Sequence, residues 1–479
     1  MRKPEKPSPT ELDFLFEIDP QPASETLTSW GGVPLLVRAY RSLGLPASVQ
    51  RNVCIKQRQR GYDESSVVES FVILNAVGGD CLEDLERLRE DPGLAEMIGH
   101  QIPSPEMARK FLYQFHAQEL IEQAQQQRSL GQISYIPGEN DPLQGLARVN
   151  RDLIAEVGRR CRDQKIATVD QDSTIIESHK REALRTYEGE PGYQPMLAVW
   201  AETDLILADQ FRDGNVPAME QPLAVAKAAF AALPETVTEL YYRGDSACHE
   251  QQLISWLLDE EREGGRPGCI GFAISARMSA ALRQAVEAVS EAEWQAYGKA
   301  DPEVFRECAE APFVPTETYG QKEKDAQPLR YVAIRIRKRQ SELFADGSAV
   351  KHFAVLTNLY QWPAAKLLQW HRQKAGTIEA VHDVLKNELA AGVLPCGRFG
   401  ANAAWLRLAV LTHNVLTALK RLALPPELLA ARPKRLRFLF FHTAGRLVHH
   451  ARQLILRLAT AAERLAMWAH SLRLLPLPG

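Results

Sequence analysis

Five short apolar runs between residues 165 and 275 most restrict what this chain can fold into. Lys165–Asp172 reads as a buried strand. Gln194–Trp200 and Leu205–Phe211 read as two more, joined through Glu202-Thr203-Asp204. An alanine-rich helix over 220–232 leads to the strand Val237–Asp245, and a helix over 249–262 leads to the strand Cys269–Ile274. The order is β-β-β-α-β-α-β. Runs this short, bounded by turn residues, suit strands. Their alternation with helices implies a mixed α/β sheet layered with helices.

Two of these strands end in a carboxylate, Asp172 and Asp245, and a third acid, Glu379, sits in the helical stretch Thr377–Lys386. Strand-end aspartates and a later helical glutamate form an acidic cluster when their elements are neighbours. Carboxylates held close repel one another. A divalent cation relieves the repulsion, and hard oxygen ligands suit Mg²⁺ or Mn²⁺. Asp170 is a rival to Asp172, because residues i and i+2 of a strand share a face. Ser173-Thr174 after Asp172 favours Asp172, with Asp170 in a supporting place. Glu388 is a rival to Glu379 without the surrounding pattern.

With 479 residues, two to four domains are expected. Residues 1–25 are rich in Pro and charge and read as loosely attached. The helical stretch after them includes Ser66–Glu69 as a capping box, Gly78-Gly79 as a stop, and Ser104-Pro105 as a start. The expected division is a helical region over 1–150 and the first part of the core over 160–277. A β-containing insertion over 278–360 and the final core with the glutamate helix over 361–420 follow. A basic helical region over 421–479 comes last. In the insertion, Tyr331–Arg337 alternates apolar and basic residues, which suits a strand with one wet, positive face. Trp294, Tyr319 and Trp362, in or beside it, read as packing residues, with stacking of an unpaired base as the alternative.

Charge is uneven. In residues 401–479, twelve Lys or Arg stand against Glu427 and Glu463, leaving +10 on the tail and −13 on the rest. A basic tail on an acidic body points to an anionic partner, most often nucleic acid. Arg446, Arg452 and Arg457 are expected as one stripe on a helix. His449-His450 reads as a surface pair. The seven cysteines show no CxxC pair or zinc spacing and read as reduced thiols. No apolar run approaches membrane-spanning length, and Met1–Pro7 has charge with no apolar stretch behind it, unlike a signal peptide.

Several stretches together resemble the DDE transposases of bacterial insertion sequences. Asp172-Ser173-Thr174 fits the first-carboxylate pattern. Tyr193-Gln194-Pro195 and Phe211-Arg212-Asp213-Gly214-Asn215 fit the stretches between the first and second carboxylates. Arg243-Gly244-Asp245-Ser246 fits the second, and Ile378-Glu379, His382 and Lys386 fit the glutamate helix of the subgroup with a Tyr-Arg-Glu-Lys signature. Arg398–Trp405, Asn75–Asp80 and Ile102–Pro105 extend the likeness over nearly the whole chain. One departure stands out. The signature's Arg and Tyr positions, four and seven residues before the glutamate, hold Ala375 and Arg372. Trp370, Arg372 and Lys374 are expected to supply the aromatic and basic character instead.

The resemblance implies an RNase H-like core and two-metal phosphoryl transfer. Two Mg²⁺ (or Mn²⁺) ions would be held by Asp172, Asp245 and Glu379. Cleavage would occur at insertion-sequence ends, followed by strand transfer to target DNA. Lys386, Arg243, His382 and Arg372 are its expected phosphate contacts. It also implies double-stranded DNA partners (terminal inverted repeats and target), a homodimer pairing two ends, no membrane, and a cytoplasmic, nucleoid-associated location. The alternatives are an RNase H-fold nuclease without strand transfer and a non-catalytic DNA-binding derivative.

Overall fold

The computed structural model describes residues 25–55, 61–127, 134–299, 301, 303–315, 319, 328–338, 343–344 and 347–477. Apart from Glu25, the expectation for residues 1–25 falls outside them.

A nine-stranded mixed sheet forms the centre. In chain order its strands are β1 (Ile166–Ser173), β2 (Met196–Trp200), β3 (Leu205–Gln210), β4 (Glu239–Gly244), β5 (Ile270–Ser275), β6 (Gln295–Ala296), β7 (Val304–Ala311), β8 (Arg330–Lys338) and β9 (Val350–Thr357). Across the sheet the order is β6-β7-β8-β9-β5-β4-β1-β2-β3. β1, β2 and β3 form an antiparallel meander, while β4 pairs parallel with β1 and β5 parallel with β4. That is the strand order of an RNase H-like core, and the five expected strands are the ones that build it. Helices α1 (Pro222–Ala232) and α2 (Gln251–Leu258) make the crossovers, as parallel pairing requires.

The insertion is no separate body. β9 pairs antiparallel with β5, so β6–β9 prolong the central sheet. The expected wet, positive face of β8 is inverted. Arg335 is buried and bonded to Glu307 and Glu291, and Arg337 also reaches Glu307. Cross-strand acids on β7 take up the arginines, leaving Ile334 and Ile336 on the open side.

Helices α3 (Ala364–Arg372), α4 (Lys374–Glu388) and the long α5 (Phe399–Ala423) follow the sheet. α5 is buried nearly throughout, and Trp405 packs edge-on against Phe71 of the N-terminal helix Glu64–Val77. That helix begins at Asp63, whose carboxylate accepts from the Ser66 amide, and ends at Gly78 with φ +99°. The expected capping box at Ser66 therefore lies three residues too late. Asp63 already satisfies the Ser66 amide of the first turn.

The C-terminal region also departs from expectation. Residues Gly445–His450 (β10) and Gln453–Leu458 (β11) form an antiparallel hairpin, not a helix. Leu27–Thr28 adds a third strand beside β10. Alternating Leu and Val occur at both periods in this stretch, and pairing with the N-terminal segment selects the extended one. Only Pro433–Leu436 and Ala462–Arg473 are α-helical beyond residue 425 among the described residues.

Candidate active site

β1 and β4 are parallel neighbours, so their C-terminal ends lie side by side. This brings Asp172 and Asp245 together. Asp245 follows Gly244, where an added Cβ would fall 2.5 Å from Cys248 Cβ, and its carboxylate accepts from the Ala247 amide at 3.0 Å. Burial raises its pKa, the nearby Asp172 charge raises it further, and Lys374 pulls it back. Asp172 thus disfavours the charge on Asp245, which is the condition a cation relieves.

Lys374 supplies a positive charge at that point. Its ammonium donates to Asp172 Oδ2 at 2.6 Å. Burial works against its charge, but Asp172 and Asp245 outweigh that and hold its pKa above the ordinary lysine value. In the sequence Lys374 is only a basic residue ahead of the glutamate. Its place over the aspartates follows from α4, which starts at Lys374 and lays its first turn on β1.

Asp170 and Asp172 do share a face, but their partners differ. Arg243, directly across from Asp170 in the β1–β4 register, forms a bidentate pair with it at 2.6 and 2.8 Å. Thr377 of α4 also bonds Asp170, and Arg243 reaches the Trp370 carbonyl at 2.5 Å. Both Asp170 and Arg243 are fully buried. Arg243, expected at a phosphate, instead braces β1, β4 and the α3–α4 junction.

Glu379 lies on α4, exposed, in a groove of about 360 Å³ that Asp245, Lys374 and Arg372 also line. The carboxylate oxygens of Asp172, Asp245 and Glu379 do not all come within 4.8 Å of one another. Among the described residues the one metal-sized cluster is Asp80, Cys81 and Asp84, at the surface. Glu379 and Lys386 are seven residues apart, two helical turns on one face. Lys386 Nζ reaches the Ile175 carbonyl just past Asp172, at 3.4 Å. His382 is buried on α4 with Nε2 unpartnered, and burial pushes its pKa down to about 4, so it is neutral at pH 7. Glu388 is engaged elsewhere, bonded to Arg432 at 2.6 Å.

A further residue at this site gives no sequence signal. Tyr187 is 76 % exposed, yet it lies close enough to Asp172 and Asp245 to feel both. Burial first, then Glu188 and the two aspartates, raise its pKa. In the motif between the carboxylates, Tyr193 and Asp213 form an isolated bridge, and burial alone raises the Asp213 carboxyl to about 6. A raised folded-state pKa favours folding below about pH 4, and that gain is lost as pH climbs through about 6. Asp213→Asn is therefore expected to stabilise the protein on the order of 2–3 kcal/mol at pH 8 and hardly at all at pH 4. Urea denaturation at both pH values measures this, and equal effects at both would contradict it.

The donor set fits a divalent metal: two neighbouring strand-end carboxylates of hard oxygen, with Glu379 lining the same groove as Asp245. Residues 17–478 match the family model for the group 1 transposase DDE domain. No curated protein matches the sequence. Among solved structures, a piggyBac transposase synaptic complex with hairpin DNA aligns with TM-score 0.44 and 9% identity, over 80% of this chain and 74% of that one. The family match spans nearly the full length, and the chain belongs to the DDE transposases of group 1.

Proposed function

We propose that Asp172, Asp245 and Glu379 are the catalytic carboxylates with which this transposase cleaves DNA at insertion-sequence ends and joins the freed end to target DNA. The carrying observation is the pairing of Asp172 and Asp245 at adjacent strand ends under a buried lysine counter-charge. Two Mg²⁺ or Mn²⁺ ions on these carboxylates would supply an activated water and stabilise the leaving 3′ oxygen. The protein's share is positioning and charge. Asp170, Arg243 and Thr377 fix α4 against β1, so Glu379 is presented to the groove by a rigid element. Lys386 and exposed Arg372 flank the acids and serve the DNA phosphates, while neutral His382 packs beneath. The DNA partners are terminal inverted repeats and target duplex, handled by a homodimer that pairs two ends in the bacterial cytoplasm, at the nucleoid. No described helix is long and apolar enough to cross a membrane.

Lys374 holds the place of a cation and competes with metal. Lys374→Met is expected to raise Mn²⁺ affinity of the DNA-free protein roughly tenfold or more, by removing one repelling charge. Titration calorimetry measures it, and weaker binding would mean that the lysine shapes the metal site instead.

The reaction class is tested with labelled element-end duplex, Mg²⁺ and a supercoiled target plasmid. Cleaved ends joined to the plasmid are expected. Cleavage with no joined product would assign the nuclease alternative, and binding without cleavage the non-catalytic one.

A further inference from the structure

We infer that the C-terminal hairpin β10–β11 is a basic ribbon that grips the backbone of duplex DNA. The inference rests on the reading of this chain as a DNA transposase, and adds a binding surface apart from the catalytic acids.

The two faces of the hairpin differ. On one, Leu447 is buried beside Gly93 and Thr28, and exposed His449 bonds Glu96 at 2.7 Å, so the base of this face packs on the helix Pro92–Ile98 and the strand Leu27–Thr28. On the other, Arg446 stands directly opposite Arg457, and His450 opposite Gln453, all four exposed. Like charges directly opposite each other across a ladder are destabilising. Folding alone gives no reason to place them there, whereas a polyanion does. Among the described residues Arg446 has only Glu25 as a carboxylate partner, at 3.7 Å. Among the described residues no carboxylate pairs with Arg452 or Arg457.

Several other cations of the tail are engaged within the protein. Arg407 is held by Asp209 and Glu139, Arg432 by Asp383 and Glu388, and Arg421 and Arg437 by backbone carbonyls. Of the hairpin's three arginines, Arg452 and Arg457 pair with no carboxylate among the described residues and Arg446 holds a single long contact to Glu25.

The turn adds an independent observation. Ala451 and Arg452 form a two-residue connection with φ of +48° and +66°. Such turns favour Asn-Gly, since side chains resist this region. An arginine kept there puts its guanidinium at the exposed tip, at a conformational cost that points to use. Two paired strands of six residues span about 20 Å, and a two-stranded ribbon fits the major groove of B-DNA. Arg446 and Arg457 would take phosphates near the ribbon's base and Arg452 one at its tip, with arginine's bidentate geometry.

The test uses the full chain and a labelled 30-base-pair duplex of arbitrary sequence, over a KCl series. For Arg446→Ala/Arg452→Ala/Arg457→Ala, affinity at 0.1 M KCl is expected to fall at least about tenfold. The slope of log affinity against log salt should shrink by about 2–3, since each phosphate left unneutralised removes about 0.9 from it. The matching triple Lys variant should keep most of the affinity, with circular dichroism unchanged in both. Unchanged affinity and slope in the Ala variant would overturn the inference. So would a Lys variant that fails as badly as the Ala variant, or an Ala variant that loses self-association and binds DNA as before. The last result would make the ribbon a subunit interface. If the wild type itself shows no salt-dependent duplex binding, the DNA reading fails before any variant is compared.

Discussion

Asp245→Asn is expected to lower DNA cleavage by three orders of magnitude or more, on the order of 4 kcal/mol of transition-state stabilisation, while leaving the protein folded and bound to DNA. Asn keeps the shape of Asp and can still accept from the Ala247 amide. It removes a charge that burial and Asp172 both disfavour, so stability should hold or rise. Asp172→Asn should abolish cleavage equally but behave differently in folding. Lys374 donates directly to Asp172, and the substitution strips a buried ammonium of its nearest counter-charge, a loss of roughly 2–3 kcal/mol. Single-turnover cleavage and urea denaturation on the same preparations separate the two effects. Equal destabilisation by both variants would contradict the placement of Lys374.

The largest stability effect is expected at Arg243. Arg243→Met leaves Asp170 fully buried with Thr377 as its one remaining side-chain partner among the described residues. Breaking a buried pair from one side costs roughly 3–5 kcal/mol. The double variant Arg243→Met/Asp170→Leu should recover much of that loss, because neither charge is then stranded. Its cleavage should stay low, since the tie from β1 to Thr377 of α4 is gone and Glu379 is carried by that helix. Recovery of stability without activity would identify Arg243 and Asp170 as positioning residues. Full activity in the double variant would sink that account. An Arg243→Met variant as stable as wild type would show that the pair is not closed in solution.

The central strands are legible in the sequence because each is a short apolar run bounded by turn residues. β1, β4 and β5 pack helices on their faces and read as largely apolar stretches, and the aspartates at the ends of β1 and β4 stand out as breaks in pattern. Geometry along the strand does not separate Asp170 from Asp172, because both point to one face. The cross-strand partner decides, and Arg243 is opposite Asp170 only once the β1–β4 register exists. The arginines of β8 mislead for a similar reason. Alternation says which residues share a face, and only the glutamates of β7 and the adjoining loop reveal that the face is closed. Lys374 is visible as a charge near a motif, but its burial depends on where α4 begins. The hairpin at 445–458 hides behind a helical pattern because Leu, Val and Arg recur there at both periods, and its third strand comes from Leu27–Thr28, far away in sequence.

Anomalous diffraction from Mn²⁺-soaked crystals of the protein bound to end DNA is the most direct measurement of the central claim. The expected result is manganese between Asp172 and Asp245, with oxygens at about 2.1 Å. Glu379 should be drawn in from the groove, and the Lys374 ammonium displaced from Asp172. Manganese only at the Asp80–Asp84 cluster, or Lys374 still bonded to Asp172 with no metal beside it, would contradict the claim that these three carboxylates form the metal site.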